Sequence, residues 1–219
     1  MTPRIALLNL LATHSFRLGD FLLASGTRSD YYIDCRVTTL HAEGGRLAGI
    51  VLLDLIRERF PSAEAVGGLT MGADPLVSNT ASASAWELAD YNEFLALSPD
   101  EDHGPAPTLV HGFLVRKAGK THGTGRRVEG FLSPGANVLI VDDVCTTGGS
   151  TITAIEATRD AGMNVIGVLC LVDREQGGRL QIERALAEIP PTNATASDIP
   201  FIPIFTANDI RQAHIARTS

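Results

Sequence analysis

The sequence predicts an α/β protein built on a doubly wound, mostly parallel sheet, and three observations carry that expectation. The runs 138–141 and 165–172 are nearly continuous in aliphatic residues, as strands buried on both faces are. Stretches with helical periodicity follow them at 150–161 and 179–189, giving the alternation of parallel βαβ units. A length of 219 residues suits one continuous core, so residues 1–219 are expected to form a single domain.

At the N-terminus, Thr2 and Pro3 start an amphipathic helix as N-cap and first helical residue. Residues 21–24 and 31–36 then read as short strands around the turn Ser25-Gly26-Thr27. From 43 to 60 the apolar residues Leu47, Ile50, Val51, Leu55 and Ile56 recur at helical spacing, and Pro61 marks the stop. A short strand over 65–69 opens into Thr70-Met71-Gly72-Ala73-Asp74-Pro75, with a new helix expected near Asp74 and Pro75 at its first position. Strands follow at 109–116, 138–141 and 165–172, the latter two central, then a late strand at 201–205 and a closing helix at 209–215.

Two segments fall outside this rhythm. Residues 117–127 are rich in glycine and basic side chains and lack hydrophobic periodicity. Residues 85–107 carry Glu87, Asp90, Glu93, Asp100, Glu101 and Asp102 with no lysine or arginine. They read as a solvated helix and loop whose Leu88, Tyr91 and Leu95 pack onto the body, in preference to an acidic docking surface.

Composition narrows the function classes. With 18 basic against 25 acidic side chains the formal charge is −7, which argues against a nucleic-acid coat protein that works by neutralising phosphates. The 44% hydrophobic and 20% charged residues describe an ordinary globular chain. No apolar run approaches the roughly 18 to 20 residues that span a bilayer, so no membrane role is expected. Asn9, then His14, Phe16 and Arg17, break the resemblance of 5–12 to a signal segment. Cys35, Cys145 and Cys170 are an odd set without CxxC spacing, which predicts neither a disulfide framework nor a zinc site and suits the cytoplasm.

The strongest chemical signal is VLIVDDVCTTGGS over 138–150. A buried strand delivers Asp142 and Asp143 to its C-terminal end, where open α/β sheets bind ligands. Gly148 and Gly149 then allow close backbone approach, while Thr146, Thr147, Ser150 and the free N–H groups of the next helix suit a phosphate. Two carboxylates would repel a bare phosphate, so they are expected to accept hydrogen bonds from sugar hydroxyls or to help hold Mg²⁺. A ribose 5-phosphate satisfies both halves. Separately, an acidic strand end and a glycine-rich helix entry are ordinary turn features; their contiguity is what points to a site. A Walker loop is set aside because Leu114 stands five positions before Gly119-Lys120-Thr121, and no GxGxxG opens a helix after a strand.

VLIVDDVCTTGGS resembles the phosphoribosyl-pyrophosphate (PRPP) motif of the type I phosphoribosyltransferases. FLLASGTRSDYYIDCR at 21–36, VGGLTMGADP at 66–75 and FLVRKAGKTHGTGRRVEG at 113–130 narrow the likeness to the orotate phosphoribosyltransferase family, over residues from about 16 to about 178. The resemblance implies a type I phosphoribosyltransferase-like sheet with a small N-terminal hood segment. It also implies Mg²⁺-dependent transfer of the phosphoribosyl group from PRPP to orotate, giving orotidine 5′-monophosphate and pyrophosphate, with no metal site on the protein because Mg²⁺ arrives with PRPP. By the same resemblance Arg116, Lys117, Lys120 and His122 lie on a mobile loop that reaches the neighbouring subunit of a homodimer. With Asp142, Asp143, Val144, Cys145, Thr146, Thr147, Gly148, Gly149 and Ser150 they bind PRPP.

Lys120, His122 and Asp143 are expected nearest the chemistry, where a cationic transition state asks for positioning and charge stabilisation and no nucleophile. Cys145 is thus expected to pack and not to react. Arg174, just past a central strand, suits a carboxylate, and the resemblance implies that it and Thr146 contact orotate, with the backbone at Tyr32 and Ile33 as the remaining wall; the plainer reading of Arg174 is an ion pair with Asp173 or Glu175. Ala24 and Met71 stand where some family members carry lysine, and Arg28 is the nearest candidate to compensate. Two other readings stay open at this point: a non-catalytic PRPP sensor, disfavoured by the net charge and the intact RKxxKxH loop, and the same transfer to a purine or uracil.

Overall fold

The computed structural model describes residues 1–22, 28–99, 102–117, 127–188 and 199–218. Helix α1 (Pro3–Leu10) starts as its sequence dictates, with Thr2 Oγ1 accepting from the Ile5 amide and Pro3 in the first turn. It runs into a π-helical turn at Leu11–Ser15. Strands β1 (Phe16–Leu22) and β2 (Arg28–Ile33) then pair antiparallel as a separate two-stranded ribbon. Both begin earlier than the expected 21–24 and 31–36. Most of β1 faces solvent, with Arg17, Gly19 and Asp20 interleaved, so it offers no apolar alternation to read. Arg36 belongs instead to a short helix, α2 (Arg36–Thr39), followed by α3 (Ala42–Arg59).

The main sheet comprises β3 (Ala65–Leu69), β4 (His111–Val115), β5 (Val128–Gly130), β6 (Asn137–Cys145), β7 (Asn164–Asp173) and β8 (Phe201–Thr206). Their spatial order is β5-β4-β3-β6-β7-β8, parallel throughout except for β5, which pairs antiparallel with β4 at one edge. The sequence pattern missed β5 because three residues are too few for a period to show. Helices α4 (Asp74–Leu97), α5 (Gly149–Asp160), α6 (Gly178–Glu188) and α7 (Ala207–Thr218) complete the order.

The doubly wound arrangement follows from β6, whose side chains alternate between two cores. Leu139 and Val141 join Leu7, Leu52, Ile56, Leu76 and Ile210 from α1, α3, α4 and α7. Val138 and Ile140 join Ala154, Ile155, Ile182 and Leu186 from α5 and α6. A strand apolar on both faces is the sequence signature of this burial.

The acidic segment differs from expectation. Residues 85–97 are the second half of one continuous 24-residue helix, α4, in which Asp74 and Pro75 are the first and second residues. Arg57 ties Glu87 to the body at 2.7 Å and donates to the Thr108 carbonyl at 2.5 Å, and Tyr91 donates to the Gly104 carbonyl at 2.8 Å. Packing fades beyond that point: Leu95 is 40% exposed and Leu97 75%. Leu88 and Tyr91 are half-buried, so the expected contact with the body holds for them and not for Leu95.

At the sheet centre Gly67 of β3 faces Phe113 of β4, and a Cβ on Gly67 would lie 2.2 Å from that ring. Gly67→Ala should therefore lower stability by about 1–3 kcal/mol through overpacking. Denaturant titration checks this; an unchanged midpoint would show that the ring can move aside.

Candidate active site

β6 carries Asp142 and Asp143 to the C-terminal margin of the sheet. Asp142 is 8% exposed, and Thr151 from the first turn of α5 donates to its Oδ2 at 2.5 Å. Burial pushes the Asp142 carboxyl up to about 7, against the opposing pull of the Thr151 hydrogen bond. Burial raises Asp143 as well, while the Val144 amide and the charge of Arg36 pull it back. These are two carboxyls short of compensating partners, which hydroxyl donors on a ligand would supply.

The following turn is shaped by glycine. Gly148 has φ 83°, a left-handed conformation natural to glycine, and caps the N-terminus of α5. The start of α6 packs directly behind it: the Gly178 amide donates to the Thr146 carbonyl at 3.1 Å, and a Cβ on Gly178 would lie 2.5 Å from Cys145 Sγ. On the outer side no atom lies within 4 Å of where a Gly149 Cβ would be. Thr147, Gly149 and Ser150 are exposed, and Val144 and Thr146 are half-buried, beside the first amides of α5. Amides and hydroxyls converging at a helix N-terminus suit a phosphate. Cys145 is fully buried against α6, consistent with a packing role.

Neighbouring elements frame the carboxylates. In the turn between β3 and α4, which contains a cis Thr70–Met71 peptide, a Cβ on Gly72 would fall 2.2 Å from Asp143 Oδ1. Arg36 is fixed by paired hydrogen bonds from Nε and Nη2 to Asp34, both 2.9 Å. A cleft of about 620 Å³ between α2 and the β3–α4 turn is lined by Arg36, Met71 and Asp74 among others. Sequence reading missed Gly72, Arg36, Thr151 and Gly178. Gly72 and Arg36 lie inside the quoted stretches 66–75 and 21–36 without having been singled out, and Thr151 stands one residue past the 138–150 motif.

Arg174 reaches the same margin from β7, its amide donating to the Cys145 carbonyl at 2.9 Å. Its guanidinium lies over the Tyr31 ring, and its Nε is buried without a hydrogen-bond partner among the described residues. It does not turn to Asp173, whose Oδ1 accepts from the Glu175 amide at 2.8 Å. Arg116 and Lys117 are exposed at the end of β4, with Arg116 3.7 Å from Glu129. Lys120, His122 and Ala24 lie outside the described residues. Arg28 pairs with Asp20 on β1.

Asp142 and Asp143 offer the hard oxygen donors that Mg²⁺ prefers. No group of three His, Cys, Asp or Glu among the described residues converges to hold a metal unaided. The pair thus fits an ion that brings other ligands with it, such as phosphate oxygens. No helix among the described residues is long and apolar enough to cross a membrane.

Comparison with known proteins agrees with this geometry. Residues 114–188 match the phosphoribosyl transferase domain model. The orotate phosphoribosyltransferase of Synechocystis is 39% identical over 95% of this chain and 88% of its own. The Mycobacterium tuberculosis orotate phosphoribosyltransferase in complex with Fe(III) dicitrate superposes with a TM-score of 0.70 at 31% identity, covering 95% of this chain and 99% of that one. The same enzyme in complex with PRPP gives 0.63 at 26% identity over 95% and 91%.

The raised carboxyl makes stability depend on pH. The folded protein retains the Asp142 proton that an unfolded chain releases near pH 4, so the contribution is full below about 4 and lost as pH rises through about 7. Melting temperatures of ligand-free protein should therefore fall from pH 5 to 8 less steeply in Asp142→Asn than in the parent. Parallel slopes would contradict the assignment.

Proposed function

Since the chain belongs to the orotate phosphoribosyltransferase family and is a PRPP-dependent pentosyltransferase of pyrimidine nucleotide synthesis, we propose that it joins orotate to the ribosyl group with Mg²⁺, using the residues gathered at the end of β6. The observation that carries this reading is the junction at Cys145. Its carbonyl accepts from the Arg174 amide, so the acidic pair, the phosphate turn and the candidate base arginine share one margin of the sheet.

In this reading the amides from Thr146 to Ser150 and the hydroxyls of Thr147 and Ser150 hold the 5-phosphate, with Val144 and Cys145 forming the wall behind it. Asp142 and Asp143 accept hydrogen bonds from the ribose hydroxyls, and Asp143 steadies the sugar as positive charge develops at C1. The bond from C1 to pyrophosphate breaks as the bond to orotate N1 forms, and the proton that N1 carried leaves with the pyrophosphate. Arg116, Lys117, Lys120 and His122 neutralise the departing pyrophosphate, the largest gain a site can offer when the protein forms no covalent bond. When bound with PRPP, Mg²⁺ would add charge neutralisation beside Asp142 and Asp143, the carboxylates that could help hold it. Arg174 and the Thr146 hydroxyl take the orotate carboxylate; an arginine edge with a buried unpaired N–H favours an anionic base over uracil or hypoxanthine. The cysteines are free and buried, which suits the reducing cytoplasm.

Purified protein with PRPP and Mg²⁺ should consume orotate, followed by its ultraviolet absorbance, and excess EDTA should abolish turnover until Mg²⁺ is restored. Activity indifferent to EDTA would remove the metal from the scheme, and inert folded protein would end the whole reading. The proposed homodimer, with Lys120 serving its neighbour, is tested by subunit mixing. Lys120→Ala and Asp143→Asn should each be slow alone, yet a refolded equal mixture should regain about a quarter of parental activity, because half the dimers then hold one intact site. No recovery, or a monomeric mass at full activity, would refute it.

A further inference from the structure

Among the described residues the charge of Arg174 is met by an aromatic ring and not by an acid. Its guanidinium carbon stands 4.8 Å from the centre of the Tyr31 ring, its Nη2 is 3.5 Å from Ser29 Oγ, and its Nε is buried and unpaired among the described residues. This matters for an arginine that must receive a carboxylate. An acidic partner would occupy the N–H edge and compete with the ligand. A ring beside the guanidinium holds it in place without consuming any of its N–H donors.

The ring itself is held. Phe16 stacks on Tyr31 with centroids 5.6 Å apart and planes 17° from parallel. His214 of α7 also contacts the Phe16 ring, tilted at 5.1 Å between centroids, and its Nδ1 donates to the Ala12 carbonyl at 2.8 Å. Arg211 of the same helix bonds Asp30 at 2.7 Å, one residue before Tyr31. A line of rings therefore runs from the C-terminal helix through the β1–β2 ribbon to the arginine.

We propose that Tyr31 is the positioning residue that sets Arg174 for the base carboxylate, and that α7, through His214 and Phe16, anchors this selectivity. The inference rests on the assignment of Arg174 to orotate. It explains why the ribbon, apart from the main sheet, is tied so closely to the far end of the chain: a ring contact works only if its plane is fixed.

Steady-state kinetics with orotate and PRPP varied separately test it. Tyr31→Leu should raise the KM for orotate about tenfold, the scale of a partly buried cation–π contact, with kcat and the PRPP KM within about twofold of parent. Tyr31→Phe, which keeps the ring, should restore the orotate KM. Arg174→Ala separates the two layers of the argument: if it leaves the orotate KM unchanged, the base-site assignment fails. If it raises that KM while Tyr31→Leu does not, the assignment stands and the positioning role is overturned. An equal rise in both KM values for Tyr31→Leu would also overturn it, as general damage to the ribbon. Should Tyr31→Leu not fold, phenylalanine analogues with increasing fluorination at position 31 retain shape while draining the ring face of negative charge. A stepwise rise in orotate KM supports the proposal, and a flat series overturns it.

Discussion

Asp142 and Asp143 sit side by side at the end of β6 with little water to solvate them, and the rest of the site is arranged around that fact. Burying adjacent carboxyls is unfavourable unless donors converge on them. Thr151, the Asp143 and Val144 amides and the nearby charge of Arg36 supply part of what is needed, and the remainder leaves both groups reluctant to ionise. Hydroxyl donors of the proposed sugar ligand would complete the set. The apolar cores on both faces of β6 hold the pair in this position.

The glycine at position 72 and the arginine at position 36 show the same constraint from outside the strand. Backbone at Gly72 closes to within a side chain's width of Asp143, so the turn after β3 and the end of β6 define one wall between them. Arg36 holds its charge near that wall because Asp34 takes two of its N–H donors and fixes its plane.

The parallel core was legible because burial on both faces forces long aliphatic runs, and the glycine turn into α5 because its residues are contiguous. What stayed hidden has one physical character. β1 is mostly solvated and short β5 pairs only at an edge, so neither needs a pattern. The length of α4 was obscured because its second half projects from the core and carries acids where a buried face would carry aliphatics. Within the site, Arg36, Gly72 and Gly178 reach the acidic strand from three separate stretches of chain. Tyr31 meets Arg174 across 143 positions of sequence, and no spacing rule encodes such a meeting.

The interlock of Gly178 with the turn it backs bears on how this protein can be altered. Cys145 Sγ, the Thr146 carbonyl and the Gly148 amide all crowd the place where a side chain at 178 would begin. The connection that follows Arg174 and the glycine bend after β6, proposed for the base and the phosphate, are thus halves of a single casting. A designer grafting a different nucleobase preference onto this scaffold would have to import both halves as one cassette. Lineages that diverge in base choice face the same bargain, since drift on one side must be matched by drift on the other.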